Sequence, residues 1–197
     1  MEEKRIGEVQ RRTRETDVLV QIELDGTGNH QIDTEIPFLS HMLTLLAVHS
    51  LCNLKVSARG DIEVDDHHSV EDIGICLGQA LKLALGEKRG IQRYGEATVP
   101  MDECLARVVM DLSGRSCLVY QVDLEREQLG NLAVENVKEF FQALVNHAGI
   151  NLHIDLLRGS NTHHKIEAIF KAFARALKTA VGREERMEGI WSSKGNL

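Results

Sequence analysis

Proline is almost missing from this chain: Pro37 and Pro100 are the only two in 197 residues. That excludes a proline-rich linker and argues against long disordered stretches. Aromatic side chains make up only 4%, so the core is expected to be aliphatic. No Cys-x-x-Cys occurs. Cys52, Cys76, Cys104 and Cys117 stand far apart in apolar runs, which reads as buried free thiols in a reducing cytoplasm. No apolar run approaches the roughly 18 residues of a membrane span. The charged opening MEEKRIGEVQRR lacks the apolar centre of a secretory signal. There is no excess of basic charge either. A net charge of −7 argues against a nucleic-acid partner, and a small anionic substrate would need a locally basic pocket.

What the chain does have is a duplicated stretch. Residues 67–86 read HHSVEDIGICLGQALKLALG, and residues 163–182 read HHKIEAIFKAFARALKTAVG. Aligned without a gap at a shift of 96, they share nine of twenty residues, including both histidines and the glutamate. At a shift of 98, HMLTLLAVHSLCNLKV (41–56) lies on EFFQALVNHAGINLHI (139–154), with His49 on His147 and His41 on Glu139. Self-similarity of this kind predicts two half-domains built alike. The halves are expected at about 1–90 and 91–197, within a single domain, because residues 87–93 form no flexible linker.

Local patterns fill in each half. Residues 5–11 and 17–24 read as strands joined by a turn at 14–16, the second alternating apolar and polar side chains. Residues 25–29 form a loop, and Ser40 is a candidate N-cap for a helix over 41–50. Strands follow at 53–58 and 62–64, then the first duplicated helix, stopped by Gly86. In the second half, strands are expected at 96–99, 105–112 and 117–123, with 111–115 closing a hairpin. A helix over 133–147, a strand over 151–156 and a turn at 158–161 lead into the second duplicated helix. The tail from Gly189 has no helical pattern.

On a helix, adjacent histidines point about 100° apart, and a glutamate at i+4 returns to the face of the first. One His-His-x-x-Glu therefore cannot put all three side chains on one ion, and its two histidines should serve two centres. With His41 and Glu139, the two copies offer eight ligands: His41, His67, His68, Glu71, Glu139, His163, His164 and Glu167. Eight ligands divide into two four-ligand sites, each with room for substrate. Mixed imidazole and carboxylate ligation suits Mn, Fe, Co or Zn, and six-coordinate geometry favours Mn. His30, His147 and His153 have no such context and read as ordinary histidines. Arg93, Arg115, Lys171 and Lys194 stand out among the basic residues as candidate anion contacts, the last within a Ser-Ser-Lys-Gly tail.

The segments IPFLSHML, GDIEVDDHHSVEDIG, GIQRYG, PMDECLARVVMDLSGR, GSNTHHKIEAIFKAFARALK and SSKG, in this order, resemble the imidazoleglycerol-phosphate dehydratase family of histidine biosynthesis. The resemblance covers residues 5–197. It implies an α+β fold of two pseudo-repeated halves, each a small sheet with two helices, the helices packed together between the sheets as in ribosomal protein S5 domain 2-like folds. It implies loss of water from D-erythro-imidazole-glycerol phosphate to give imidazole-acetol phosphate, two Mn2+ ions per active site, and an assembly of about 24 identical subunits with sites between them. Carried over by motif, the metal ligands are the eight residues above. Substrate contacts are Glu15, His41, His49, His67, His68, Glu71, Arg93, Arg115, His163, His164, Glu167, Lys171, Ser193, Lys194 and Gly195. Arg93, Arg115, Lys171, Ser193 and Lys194 would grip the phosphate.

Within that resemblance, Glu139 stands where some members have His, Ser40 where an Asp is frequent, Trp191 where a Pro precedes the tail, and Ser116-Cys117 where a Pro-aromatic pair is usual. The expected mechanism ionises the substrate's imidazole ring to an imidazolate that helps expel hydroxide. Glu15 is the expected base at carbon, with Glu71 second, and His49 the expected acid. Two rival readings of the same residues are a dinuclear phosphate-ester hydrolase and a non-enzymatic metal-binding assembly protein.

Overall fold

Val18, Val20 and Ile22 are buried in alternation with more exposed neighbours, and this period-two pattern makes β2 (Thr16–Glu23) the inner strand of a sheet. The computed structural model describes residues 4–193 and 195. β2 pairs antiparallel with β1 (Ile6–Arg12) on one side and with β4 (Asn53–Gly60) on the other. β3 (His30–Asp33) adds to β4 in parallel, giving the order β1-β2-β4-β3. α1 (Pro37–Ser50) precedes β4, and α2 (His67–Leu85) follows it.

The second half repeats this order. β5 (Tyr94–Met101), β6 (Cys104–Asp111), β7 (Cys117–Gln121) and β10 (Asn151–Arg158) form the sheet β5-β6-β10-β7, again antiparallel, antiparallel, then parallel. α3 (Asn136–Ala148) precedes β10, and α4 (Thr162–Val181) follows it. A two-stranded extra, β8 (Gln128–Leu129) with β9 (Leu132–Ala133), interrupts the second half only.

α2 lies on the first sheet and α4 on the second, while the closest helix pairs run crosswise, α2 against α3 and α1 against α4. The four helices thus join the two sheets in one core. Gly74 and Gly78 permit the close α2–α3 approach: a Cβ at either would come within 2.6 Å or 2.5 Å of a carbonyl oxygen of α3. No helix among the described residues is long and apolar enough to cross a membrane.

Several expectations need correction. Residues 62–64 are not a strand; the Val64 N–H turns back to the Asp61 carbonyl at 2.8 Å. Residues 111–115 close no hairpin, because β10 lies between β6 and β7. Ser40 is inside α1, whose first residue is Pro37, the position where a missing N–H costs nothing. The core is not purely aliphatic. Phe140, Phe141, Phe170 and Phe173 are fully buried, with ring centroids 5.1–5.5 Å apart across α3 and α4. Finally, Cys117 is exposed on edge strand β7, while the other three cysteines are buried and free.

Candidate functional site

α1 and α4 meet where each carries a ligand-bearing side chain. His41 on α1 and His163 and Glu167 on α4 bring one ligand atom each within 4.8 Å of one another. Glu167 is one turn beyond His163, so the helix itself sets their 3.2 Å contact. Its Oε2 faces both histidines, 3.6 Å from His41 Nε2, while its Oε1 is held by Lys171 Nζ at 2.6 Å. Burial alone would push the Glu167 carboxyl up, but Lys171 and the histidines outweigh it and hold it below the usual range. Phe38 packs edge-on against His163, with centroids 5.0 Å apart. Ligand atoms about 2.1 Å from one ion lie up to about 4.2 Å apart, so this buried carboxylate and its two imidazoles fit a divalent cation after small side-chain adjustments.

The N-terminus of α4 is set by Asn161, whose side chain accepts from the backbone N–H of His163 at 2.9 Å and of His164 at 3.3 Å. The rings of His163 and His164 stand at 87°, and those of His67 and His68 at 83°. In both copies the neighbours face different surroundings. His67 turns to α3, with its Nδ1 3.0 Å from Asn136 Oδ1; Glu139, three residues on from Asn136, is on the same face of that helix and lines a cleft of about 970 Å³. His68 turns to Asp61, and His164 to Glu103. These acidic partners draw the His68 and His164 rings toward higher pKa.

Of the eight expected ligands, then, three converge within one chain: His41, His163 and Glu167 are the one such group among the described residues. His67, Glu71 and Glu139 occupy the matching positions on α2 and α3. His49 lies half-buried on α1; burial first, then the charges of Lys171 and Arg175, lowers its pKa. Glu15 is exposed at the β1–β2 tip, with Oε2 4.0 Å from His68 Nδ1.

Of the expected anion contacts, Lys171 is at this cluster, with its Nζ on Glu167, while the two arginines lie elsewhere. Arg93, in the left-handed region at φ 67°, binds Asp111 through two nitrogens at 2.7 and 3.0 Å and also donates to the Trp191 carbonyl. That bond brings the tail carrying Ser193 and Gly195 beside it. Lys194 lies outside the described residues. The Arg93 N–H bonds the Ala180 carbonyl, which puts Arg93 at the far end of α4, about 20 Å from Glu167 at 1.5 Å per residue. Arg115 is exposed at the β6–β7 turn, its carbonyl held by Asn151 at 2.7 Å, and forms no ion pair among the described residues. His147 is satisfied by the Ala143 carbonyl at 2.9 Å, as its lack of context suggested. Asp61, Glu103, Asn136 and Asn161 also face these histidines or set their helix, and none is among the residues expected from the sequence. Asn161, just before an apolar periodic stretch, carried an N-cap signal; the others look like ordinary turn or helix-end residues.

Comparison with known proteins decides the family. The profile of the imidazoleglycerol-phosphate dehydratase family matches residues 34–177. The chain belongs to this family. It is 78% identical to the imidazoleglycerol-phosphate dehydratase of Syntrophomonas wolfei subsp. wolfei, over 98% of both chains, and 56% identical to that of Geobacter sulfurreducens, over 96% of this chain and 97% of that one. The Staphylococcus aureus enzyme of the same name superposes with a TM-score of 0.83 at 46% identity, covering 91% of this chain and 99% of that one. The one from Pyrococcus furiosus gives 0.83 at 35% identity, covering 96% and 100%. A dehydratase of this kind is a hydro-lyase, and the shared pseudo-repeated fold agrees with that assignment.

Proposed function

We propose that this protein removes water from D-erythro-imidazole-glycerol phosphate to give imidazole-acetol phosphate, a step of histidine biosynthesis in the cytoplasm. The observation that carries the reading is the convergence of His41, His163 and Glu167 in a chain of this family. When bound, two divalent ions, Mn2+ for this ligand set, would supply Lewis acidity that stabilises the substrate ring as an imidazolate. His67, Glu71 and Glu139 would form the counterpart set. His68 and His164, turned away from their neighbours, would serve sites shared with adjoining copies in an assembly of about 24 subunits. The roughly 20 Å along α4 between Glu167 and Arg93 supports shared sites, since a small phosphorylated imidazole cannot span it.

The chain's own groups then divide the work. Arg93, Arg115, Lys171, Ser193, Lys194 and Gly195 hold the phosphate. Glu15, exposed and free of any ion pair with Lys or Arg among the described residues, takes the proton from the carbon beside the phosphate-bearing arm, with Glu71 the second carboxylate. The hydroxyl on the carbon next to the ring leaves as water with a proton passed by His49. That histidine's burial and cationic neighbours make its protonated ring the stronger acid, and after each turnover it regains a proton from solvent as Glu15 gives one up. The resulting enol converts to the ketone.

Metal-free protein given Mn2+ and substrate is expected to form imidazole-acetol phosphate with no inorganic phosphate released. Glu15→Gln should keep its ions and lose about 10²–10⁴-fold in turnover; near-normal turnover would move the base to Glu71. Phosphate release would instead support a phosphate-ester hydrolase, and metal-dependent assembly without turnover a structural metal protein.

A further inference from the structure

Each half carries a glutamate at the tip of its first hairpin, and the two are used differently. Glu15 follows β1 and Glu103 follows β5. Each faces the second histidine of the duplicated motif in its own half: Glu15 Oε2 is 4.0 Å from His68 Nδ1, and Glu103 Oε2 is 2.9 Å from His164 Nδ1. In the first half Asp61 also reaches that ring, with both its oxygens 3.2 Å from His68 Nδ1.

Asp61 follows β4, and at the shift of 98 that relates β4 to β10 its counterpart is Gly159. No carboxylate can grow from there. Gly159 has φ +141°, and a Cβ would lie 2.3 Å from Cys104 Sγ. Glu103 fills the gap from the hairpin side. Its Oε1 accepts from the Asn161 N–H at 2.8 Å, from the Ser160 N–H and hydroxyl at 3.3 Å each, and from the Cys104 thiol at 3.2 Å. One carboxylate thus fixes both the loop that opens α4 and the ring that α4 presents. On the other side of that ring, Nε2 is 3.7 Å from Asp102, beyond hydrogen-bond reach.

We propose that Glu103 and Asp61 are positioning residues, each accepting the Nδ1–H of one motif histidine, His164 and His68, and so fixing the tautomer that leaves Nε2 bare for a metal ion. A ligand histidine held this way has its orientation set and its basicity raised. The inference rests on the metal reading above. It also gives the asymmetry a function: with Asp61 holding His68, Glu15 keeps a side chain 55% exposed and remains available at the hairpin tip, whereas Glu103 is tied down.

Two variants test this. Glu103→Gln keeps the shape, and the loop donors at Asn161 and Ser160 hold its carbonyl, so its NH2 must face Nδ1 and favour the wrong tautomer. Asp61→Ala removes an acceptor whose side chain bonds only His68 among the described residues. Metal-free protein is titrated with Mn2+, followed by loss of the free-ion EPR signal. Wild type should bind, and each variant should bind about 10–100-fold more weakly, while thermal unfolding of the metal-free chains stays close to wild type. With Co2+, the visible spectrum of each variant should shift as an imidazole ligand is lost. Affinity within twofold of wild type in either variant would overturn the role of that carboxylate; should Glu103→Gln fail to fold, Asp61→Ala decides. A wild-type protein that takes up no ion would overturn the metal reading itself.

Discussion

Arg5 binds Asp25 at 2.8 Å and also donates to the Val181 carbonyl at 2.8 Å, tying the start of the first half to the end of the last helix. The Arg5 guanidinium holds the Asp25 carboxyl below its ordinary value of 3.8. The folded pKa lies below the unfolded one, so the stabilisation is complete above about pH 4 and is lost as pH falls further. Asp25 has 40% of its side chain exposed, so the pair is worth no more than about 1 kcal/mol. In thermal unfolding of the metal-free protein, Asp25→Asn should lower the melting temperature at neutral pH, and the difference from wild type should shrink as pH falls below the ordinary carboxylate range. A difference that persists in acid would rule out this linkage. Residues of this kind were not readable from the sequence. Arg5 and Asp25 are twenty positions apart and look like surface charges, just as Asp61 and Glu103 look like turn formers. Their partners are chosen by the fold, whereas the duplicated histidines were legible because repetition at a fixed shift cannot be supplied by composition.

α2 was legible as a helix from its period and from Gly86, but not the reason for its two interior glycines. Gly74 and Gly78 weaken an isolated helix and are explained only by α3. A Cβ at position 78 would lie 2.5 Å from the Leu144 carbonyl oxygen and 3.0 Å from His147 Cβ. Gly78→Val should therefore destabilise the metal-free chain by about 1–3 kcal/mol in guanidinium denaturation. It should also part α2 from α3 and weaken the His67–Asn136 bond. Unchanged stability would mean the two helices can separate freely. The strands divide the same way. β2 and β6 bury every second residue and announce themselves, whereas β3 is a four-residue edge strand with no buried residue. It exists because β4 offers a free edge, and β7 likewise goes to β10 and not to its sequence neighbour β6.

For the whole molecule, the separation between the ligand cluster on α1 and α4 and the Arg93 region at the other end of α4 makes a specific claim about copies. Chains carrying His163→Ala and chains carrying Arg93→Ala should each be inactive. Unfolded together and reassembled at equal amounts, they should recover up to about a quarter of wild-type activity, because some sites then draw intact groups from different subunits. No recovery on mixing would show that each site is built within one chain. The crosswise pairing of α2 with α3 and of α1 with α4 has a further consequence. Each half finds its closest helical neighbours in the other, so the connection through residues 86–93 sets the local concentration at which the halves meet. Severed there, the chain would trade a folding step of first order for one of second order, and its stability would begin to depend on dilution.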